Sequence, residues 1–190
     1  MKLSPLTQLL IGIALAGLLA MTRGQHFATL NLPSASWAVF FLAGVLLTPR
    51  WVFPALFLEA SLLDFAAVQW AGVSDWCLSP AYWLLIPAYG SLWLGGRLYA
   101  GWQRDRLSSL AVLGVCVALS ALVCYVFSGG GFLYFSGRYP EPSLAMLGER
   151  IAVYYPRYLA SLALYVGMAS IFYIGARSWL GAQRQFEVKS

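Results

Sequence analysis

EASLLDFAAVQWAGVSDWCLSPAYWLLIPAY, residues 59–89, opens on an apolar segment, 59–70, that holds two acidic side chains, Glu59 and Asp64. A short loop with one cysteine, Cys77, follows, and the chain re-enters an apolar segment through Ser79 and Pro80. The pattern reads as two membrane spans joined by a loop. A carboxylate at the bilayer centre costs a few kcal/mol on insertion scales, so acids at this depth face a cavity, a partner or a substrate path.

The whole chain supports the membrane reading. Of its 190 residues 61% are hydrophobic and 10% charged, and mean hydropathy is +0.72. Soluble domains carry about a quarter charged residues. Apolar segments fill nearly the whole length, leaving no room for a soluble catalytic domain. The net charge of +5 comes from basic residues spread thinly over loops and ends, an orientation signal rather than a nucleic-acid surface.

A spanning helix needs about 20 mostly apolar residues, and six stretches are candidates: 5–22, 36–48, 51–70, 80–99, 107–127 and 158–180. With the N-terminus inside, Lys2, Arg50, Arg97, Arg104, Arg106, Arg177, Arg184 and Lys189 fall on the inner side. Arg23, Arg138, Arg150 and Arg157 fall on the outer side. That bias places both ends in the cytoplasm. The first run is followed by Thr22-Arg23-Gly24-Gln25-His26 rather than a small-residue cleavage site, so it reads as a retained span. The expected fold is an all-α integral membrane protein, one domain over residues 1–190, with six transmembrane helices. No internal repeat favours an inverted-repeat transporter.

On a helix, Glu59 and Asp64 point about 140° apart, which argues against one shared metal or proton site. Asp64 lies about 9 Å below the outer end of its span and is the better ligand candidate. Glu59, nearer the midplane, reads as protonated or paired within the bundle. Ser79 suits an N-cap and Pro80 the first helical position. Cys77 therefore precedes a helix start, where partial positive charge favours the thiolate that binds metals and attacks electrophiles. An inert loop cysteine is the plainer alternative. Tyr82, Tyr89 and Trp93 follow on one side of that helix, with Pro87 as a kink point.

Elsewhere the signals are weaker. Gly12, Ala16 and Ala20 make a small-residue stripe suited first to packing within the bundle and second to docking a partner. His26, the single histidine, is a surface residue or a ligand. Cys116 and Cys124 read as small apolar packers. Gly101-Trp102-Gln103-Arg104-Asp105-Arg106 reads as an inner anchor. Residues 128–157 look irregular: Gly129-Gly130-Gly131 is expected to break the fifth helix, Pro140 and Pro142 to turn, and Ser143 to cap a short helix. Their aromatics form an interfacial belt or a lid over a flat amphipathic ligand. No ligand spacing suggests protein-bound zinc or an iron–sulfur cluster, and no P-loop suggests ATP hydrolysis. A single thiolate suffices, however, for a metal that arrives inside a macrocycle.

Six spans in 190 residues with a small-xxx-small first helix and an outward pocket resemble the S-components of ECF-type vitamin transporters. LLDFAAVQWAGVSDWCLSPAYW at 62–83 and GERIAVYYPR at 148–157 resemble the BtuM family of solitary cobalamin transporters. The resemblance implies cobalamin uptake across the bacterial inner membrane. It implies that Cys77 is the axial ligand to corrin cobalt, that Asp64, Tyr82 and Arg150 bond the corrin amides or help hold the thiolate and its loop, and that His26, a less specific match, joins them at the corrinoid. It also implies decyanation of cyanocobalamin at Cys77 as a secondary activity. S-components in general dock an energising module on the first helix, here Gly12, Ala16 and Ala20, whereas this family is solitary. Two other classes compete. A membrane sensor or scaffold suits LPSASWAVFFLAGVLLTPRW at 32–51 but lacks an output domain. A membrane redox protein lacks a second nearby cysteine or a histidine pair.

Overall fold

The structure, a computed structural model, describes residues 3–23, 32–72, 79–103 and 108–189, with side chains in the last helix as far as residue 176. His26, Cys77, Arg104, Asp105 and Arg106 lie outside the described residues. Among these residues all regular structure is helical: α1 (Pro5–Arg23), α2 (Ser36–Leu46), α3 (Val52–Trp70), α4 (Leu85–Trp102), α5 (Ser108–Tyr125), α6 (Gly131–Phe135) and α7 (Leu144–Lys189). Four runs are long and apolar enough to cross a membrane, namely Pro5–Arg23, Val52–Trp70, Ser108–Phe135 and Leu144–Ala176. Their outward faces carry bare apolar side chains such as Leu9, Ile13, Leu62, Phe65, Ile171 and Phe172. Such faces suit lipid, so this is a helical membrane protein.

α2 is the centre. Its eleven residues are apolar on every side, and Ser36 through Gly44 are all buried, as a helix without a polar face must be. α1, α3, α4 and α7 pack around it, and α5 covers the far side of α4. Neighbours rather than its own side chains close its ends. At the start, Thr22 of α1 accepts the Ala35 N–H at 3.2 Å, and Tyr165 of α7 donates to the Pro33 carbonyl at 2.7 Å. At the far end, Arg97 of α4 donates to the Leu47 and Thr48 carbonyls, each at 3.0 Å. Gln8 of α1 accepts the Thr48 N–H at 3.0 Å.

The first and third spans match expectation within a residue of each end. The later ones differ. Residues 80–99 are not one α-helix: Pro80–Leu84 is a 3-10 turn, and α4 runs from Leu85 with Pro87 in its first turn. There its missing N–H has no helical partner to lose. Ser79 occupies the cap position but makes no side-chain cap bond. The three glycines do not break the fifth helix. Val126–Gly130 forms a π turn that passes into α6. A Cβ on Gly131 would stand 2.6 Å from Leu84 Cδ1, and one on Gly129 would stand 2.8 Å from the Tyr125 ring. These glycines admit packed neighbours. The sixth helix begins at Leu144, not at 158. Ser143 does cap it, its Oγ accepting the Met146 N–H at 3.2 Å, but the helix is long, and Pro156 lies inside it.

Candidate functional site

Asp64, six residues before the end of α3, points into the bundle toward Arg23, the last residue of α1. The guanidinium grips the carboxylate two-handed, Nε donating to Oδ1 at 2.7 Å and Nη2 to Oδ2 at 2.6 Å. This fork geometry is the strong form of a charge-assisted pair. Nη1 donates onward to the Tyr89 hydroxyl at 2.7 Å and to Ser36 Oγ at 3.1 Å. The Tyr82 hydroxyl donates to Asp64 Oδ2 at 2.9 Å. One arginine thus joins α1, α2, α3 and α4, and the acid it holds reaches the 3-10 turn. The Arg23 and Asp64 side chains are 14% and 18% exposed, so the pair is shielded yet reachable.

Aromatic rings wall the cluster. Tyr89 stacks on Phe40 of α2 with centroids 4.4 Å apart, and the Arg23 guanidinium sits 5.6 Å from the Tyr89 ring centre. Phe57, almost two turns before Asp64 on α3, meets both Tyr82 at 6.5 Å and Tyr89 at 6.3 Å. Phe53 continues the row to Trp93. The polar groups therefore stand at the edge of an apolar wall, the composition that suits a ligand with flat faces and polar rim.

Arg150, on α7, has a separate surround. Its Nη1 donates to the Tyr139 hydroxyl at 2.9 Å. Its guanidinium carbon lies 5.3 Å from the Tyr139 ring centre and 5.1 Å from that of Tyr154. Its Nε is buried without a partner among the described residues. Tyr125 donates to the Arg150 carbonyl at 3.1 Å, and its ring meets Tyr158, which stacks on Trp37 at 4.9 Å. An aromatic slab thus runs from the arginine back to α2.

Of the residues singled out by sequence, Asp64 and Tyr82 come together by a direct hydrogen bond, and Arg150 holds the second cluster. Cys77 and His26 fall outside the described residues. Glu59 is half-buried on α3 and has no bond to another described residue. In the small-residue stripe, Gly12 faces Leu47 at the end of α2 and Ala16 packs against the core. Cys124 is buried and Cys116 half-buried, both free. Sequence reasoning misses Arg23 and Ser36 as site residues and places Tyr89 only as a helix-face neighbour of Tyr82. Arg23 reads there as an orientation charge, although a cation ending one span and an acid near the same end of another is a pairing signal. No model of a known protein family matches the chain, and no curated protein matches it.

Proposed function

We propose that the protein takes up cobalamin across the bacterial inner membrane. It does so as a six-span, S-component-like bundle with both termini in the cytoplasm. The observation that supports this best is the Tyr82–Asp64 hydrogen bond of 2.9 Å. Two residues eighteen positions apart, drawn from the stretch that carries the family resemblance, meet in one polar site beside an aromatic wall. A corrinoid presents the matching chemistry, an apolar macrocycle edged with amides. Carboxylate and phenol oxygens accept amide N–H groups, and an arginine donates to amide carbonyls.

Cobalamin enters from the outer side in its base-off form. Cys77 precedes the Pro80–Leu84 turn by three residues in sequence, and that turn carries Tyr82. Its sulfur takes the axial cobalt position that the base leaves, as a soft thiolate does for a metal held in a macrocycle. Asp64, Tyr82, Arg150 and His26 bind the ring and its side chains. Donation from sulfur loosens a ligand on the opposite cobalt face, so cyanide leaves cyanocobalamin with its bonding electron pair. The inward packing of Gly12 and Ala16 supports a protein that works alone, without an energising module docked on that stripe.

The test is direct. Protein purified in detergent from cobalamin-fed cells is expected to be coloured, and Cys77→Ala to lose most of that absorbance. Expression is expected to rescue a cobalamin-requiring, uptake-deficient bacterium. A colourless wild-type protein that fails to rescue overturns the proposal.

A further inference from the structure

The hydrogen-bond valences around Arg23 carry an inference that rests on the proposed corrinoid site and sharpens what it selects. A guanidinium has five N–H donors. Four are used, two on Asp64, one on Ser36 and one on Tyr89, so one hydrogen on Nη2 remains among the described residues. Asp64 accepts three bonds in total, two from Arg23 and one from Tyr82. A carboxylate offers about four acceptor sites, so capacity is left on Oδ1. Tyr82 has given its one hydrogen to Asp64 and keeps only acceptor capacity. Ser61, one turn before Asp64, gives its one hydrogen to the Phe57 carbonyl at 2.8 Å, and its oxygen lies close to the Tyr82 hydroxyl.

The valences left unfilled among the described residues are therefore acceptor capacity on Asp64 and Tyr82 beside one N–H of Arg23. A primary carboxamide matches that set, its NH2 reaching Asp64 or Tyr82 and its carbonyl taking the Nη2 hydrogen. A carboxylate matches only the single N–H and meets two oxygens lone pair to lone pair. Sites built to pair a particular polar group reject the analogue that leaves their own groups unpaired.

We propose that Arg23 is the positioning residue that sets this polarity. By holding Asp64 neutralised and oriented, and through it the Tyr82 hydroxyl, it makes the site choose a ring edged with carboxamides over one edged with carboxylates. Without the Arg23–Asp64 pair, the Tyr82 hydroxyl is free to turn and donate, and the choice is lost.

The probes are cobalamin and its monocarboxylate derivatives, in which one ring amide is hydrolysed. They are titrated into detergent-solubilised wild type, Arg23→Lys and the double variant Arg23→Gln with Asp64→Asn, with thermal unfolding run on each. The wild type is expected to prefer cobalamin over at least one monocarboxylate by about tenfold or more, the scale of one charged hydrogen bond. Arg23→Lys keeps the charge but loses the fork and the Nη2 hydrogen, and is expected to lose most of the preference. The double variant removes both charges together, so it is expected to fold and to bind the two corrinoids within about twofold of each other, a few tenths of a kcal/mol. A wild type that binds amide and carboxylate forms equally overturns this inference while leaving cobalamin binding intact. So does a double variant with the full preference. A wild type that binds neither corrinoid overturns the proposed function and this inference with it. A double variant that does not fold shifts the decision to the wild-type ratio and Arg23→Lys, and the full preference retained in the folded lysine variant overturns the assignment.

Discussion

Gly44 and Gly96 each meet the backbone of the other's helix where α2 crosses α4. A Cβ on Gly44 would stand 2.1 Å from the Trp93 carbonyl oxygen, and one on Gly96 would stand 2.1 Å from that of Phe41. The two backbones touch with no side chain between them, and small residues are what allow such an approach between membrane helices. Because α2 is buried on all sides, it cannot move away without disturbing α1, α3 and α7. Gly96→Ala is expected to destabilise the bundle by about 1–3 kcal/mol, the usual cost of overpacking. Gly101→Ala, at a position with open space around it, is the control. Thermal unfolding of the two variants in one detergent makes the comparison, and equal midpoints would remove this crossing as the tight point of the fold.

Much of the helical frame was legible because hydropathy reports it directly. An apolar run as long as a bilayer is thick suits a membrane span far better than a water-exposed segment, and α1 and α3 begin and end near where their runs do. The end of the bundle formed by residues 126–158 was less legible for a physical reason. Gly129-Gly130-Gly131 reads as a breaker by rules drawn from helices in water, where exposed glycine costs about 1 kcal/mol. Packed against Tyr125 and Leu84, the same residues are the ones that fit. Ser143 carried the true start of α7, but the polar and aromatic residues after it have no membrane-like hydropathy, so hydropathy starts that helix at 158 rather than at 144. At the site, Asp64 and Tyr82 stood out because each is unusual where it is. Arg23 did not, because a basic residue at the end of a span is ordinary. Only its partner makes it informative.

The Arg23–Asp64 pair gives a stability prediction that does not depend on any ligand. Both side chains are mostly shielded, so removing one leaves the other charged, shielded and unpaired. Arg23→Gln alone or Asp64→Asn alone is expected to cost about 3–5 kcal/mol, and the double variant much less than the sum. A double-mutant cycle by thermal unfolding measures the coupling. Additive losses would mean that the two groups are each solvated independently.

Arg97 has a different task at the other end of α2. It donates to the Leu47 and Thr48 carbonyls, which have no partner further along a helix that has ended, and its guanidinium lies 4.9 Å from the Trp93 ring centre. Arg97→Gln is expected to lose about 1–3 kcal/mol, the scale of hydrogen bonds to a charged group. Amide hydrogen exchange is expected to rise at 47–52, where the α2–α3 turn sits. Unchanged exchange there would show that the turn is held by Gln8 and Thr48 alone.

Arg150 tests whether the second cluster serves the ligand or only the fold. Its guanidinium lies near the Tyr139 and Tyr154 rings and donates to the Tyr139 hydroxyl, while its buried Nε has no partner among the described residues. Arg150→Lys keeps the charge but loses the planar fork and that spare donor. If the spare donor meets a carbonyl on the corrinoid, the lysine variant should bind cobalamin about tenfold more weakly or worse, with its unfolding temperature in the ligand-free state little changed. If the cluster only ties α7 to the Tyr139 turn, the order reverses, with stability falling by about 1 kcal/mol and affinity in the folded variant staying level. Measuring both quantities on one preparation decides between them, because a structural role moves the first and a ligand contact moves the second.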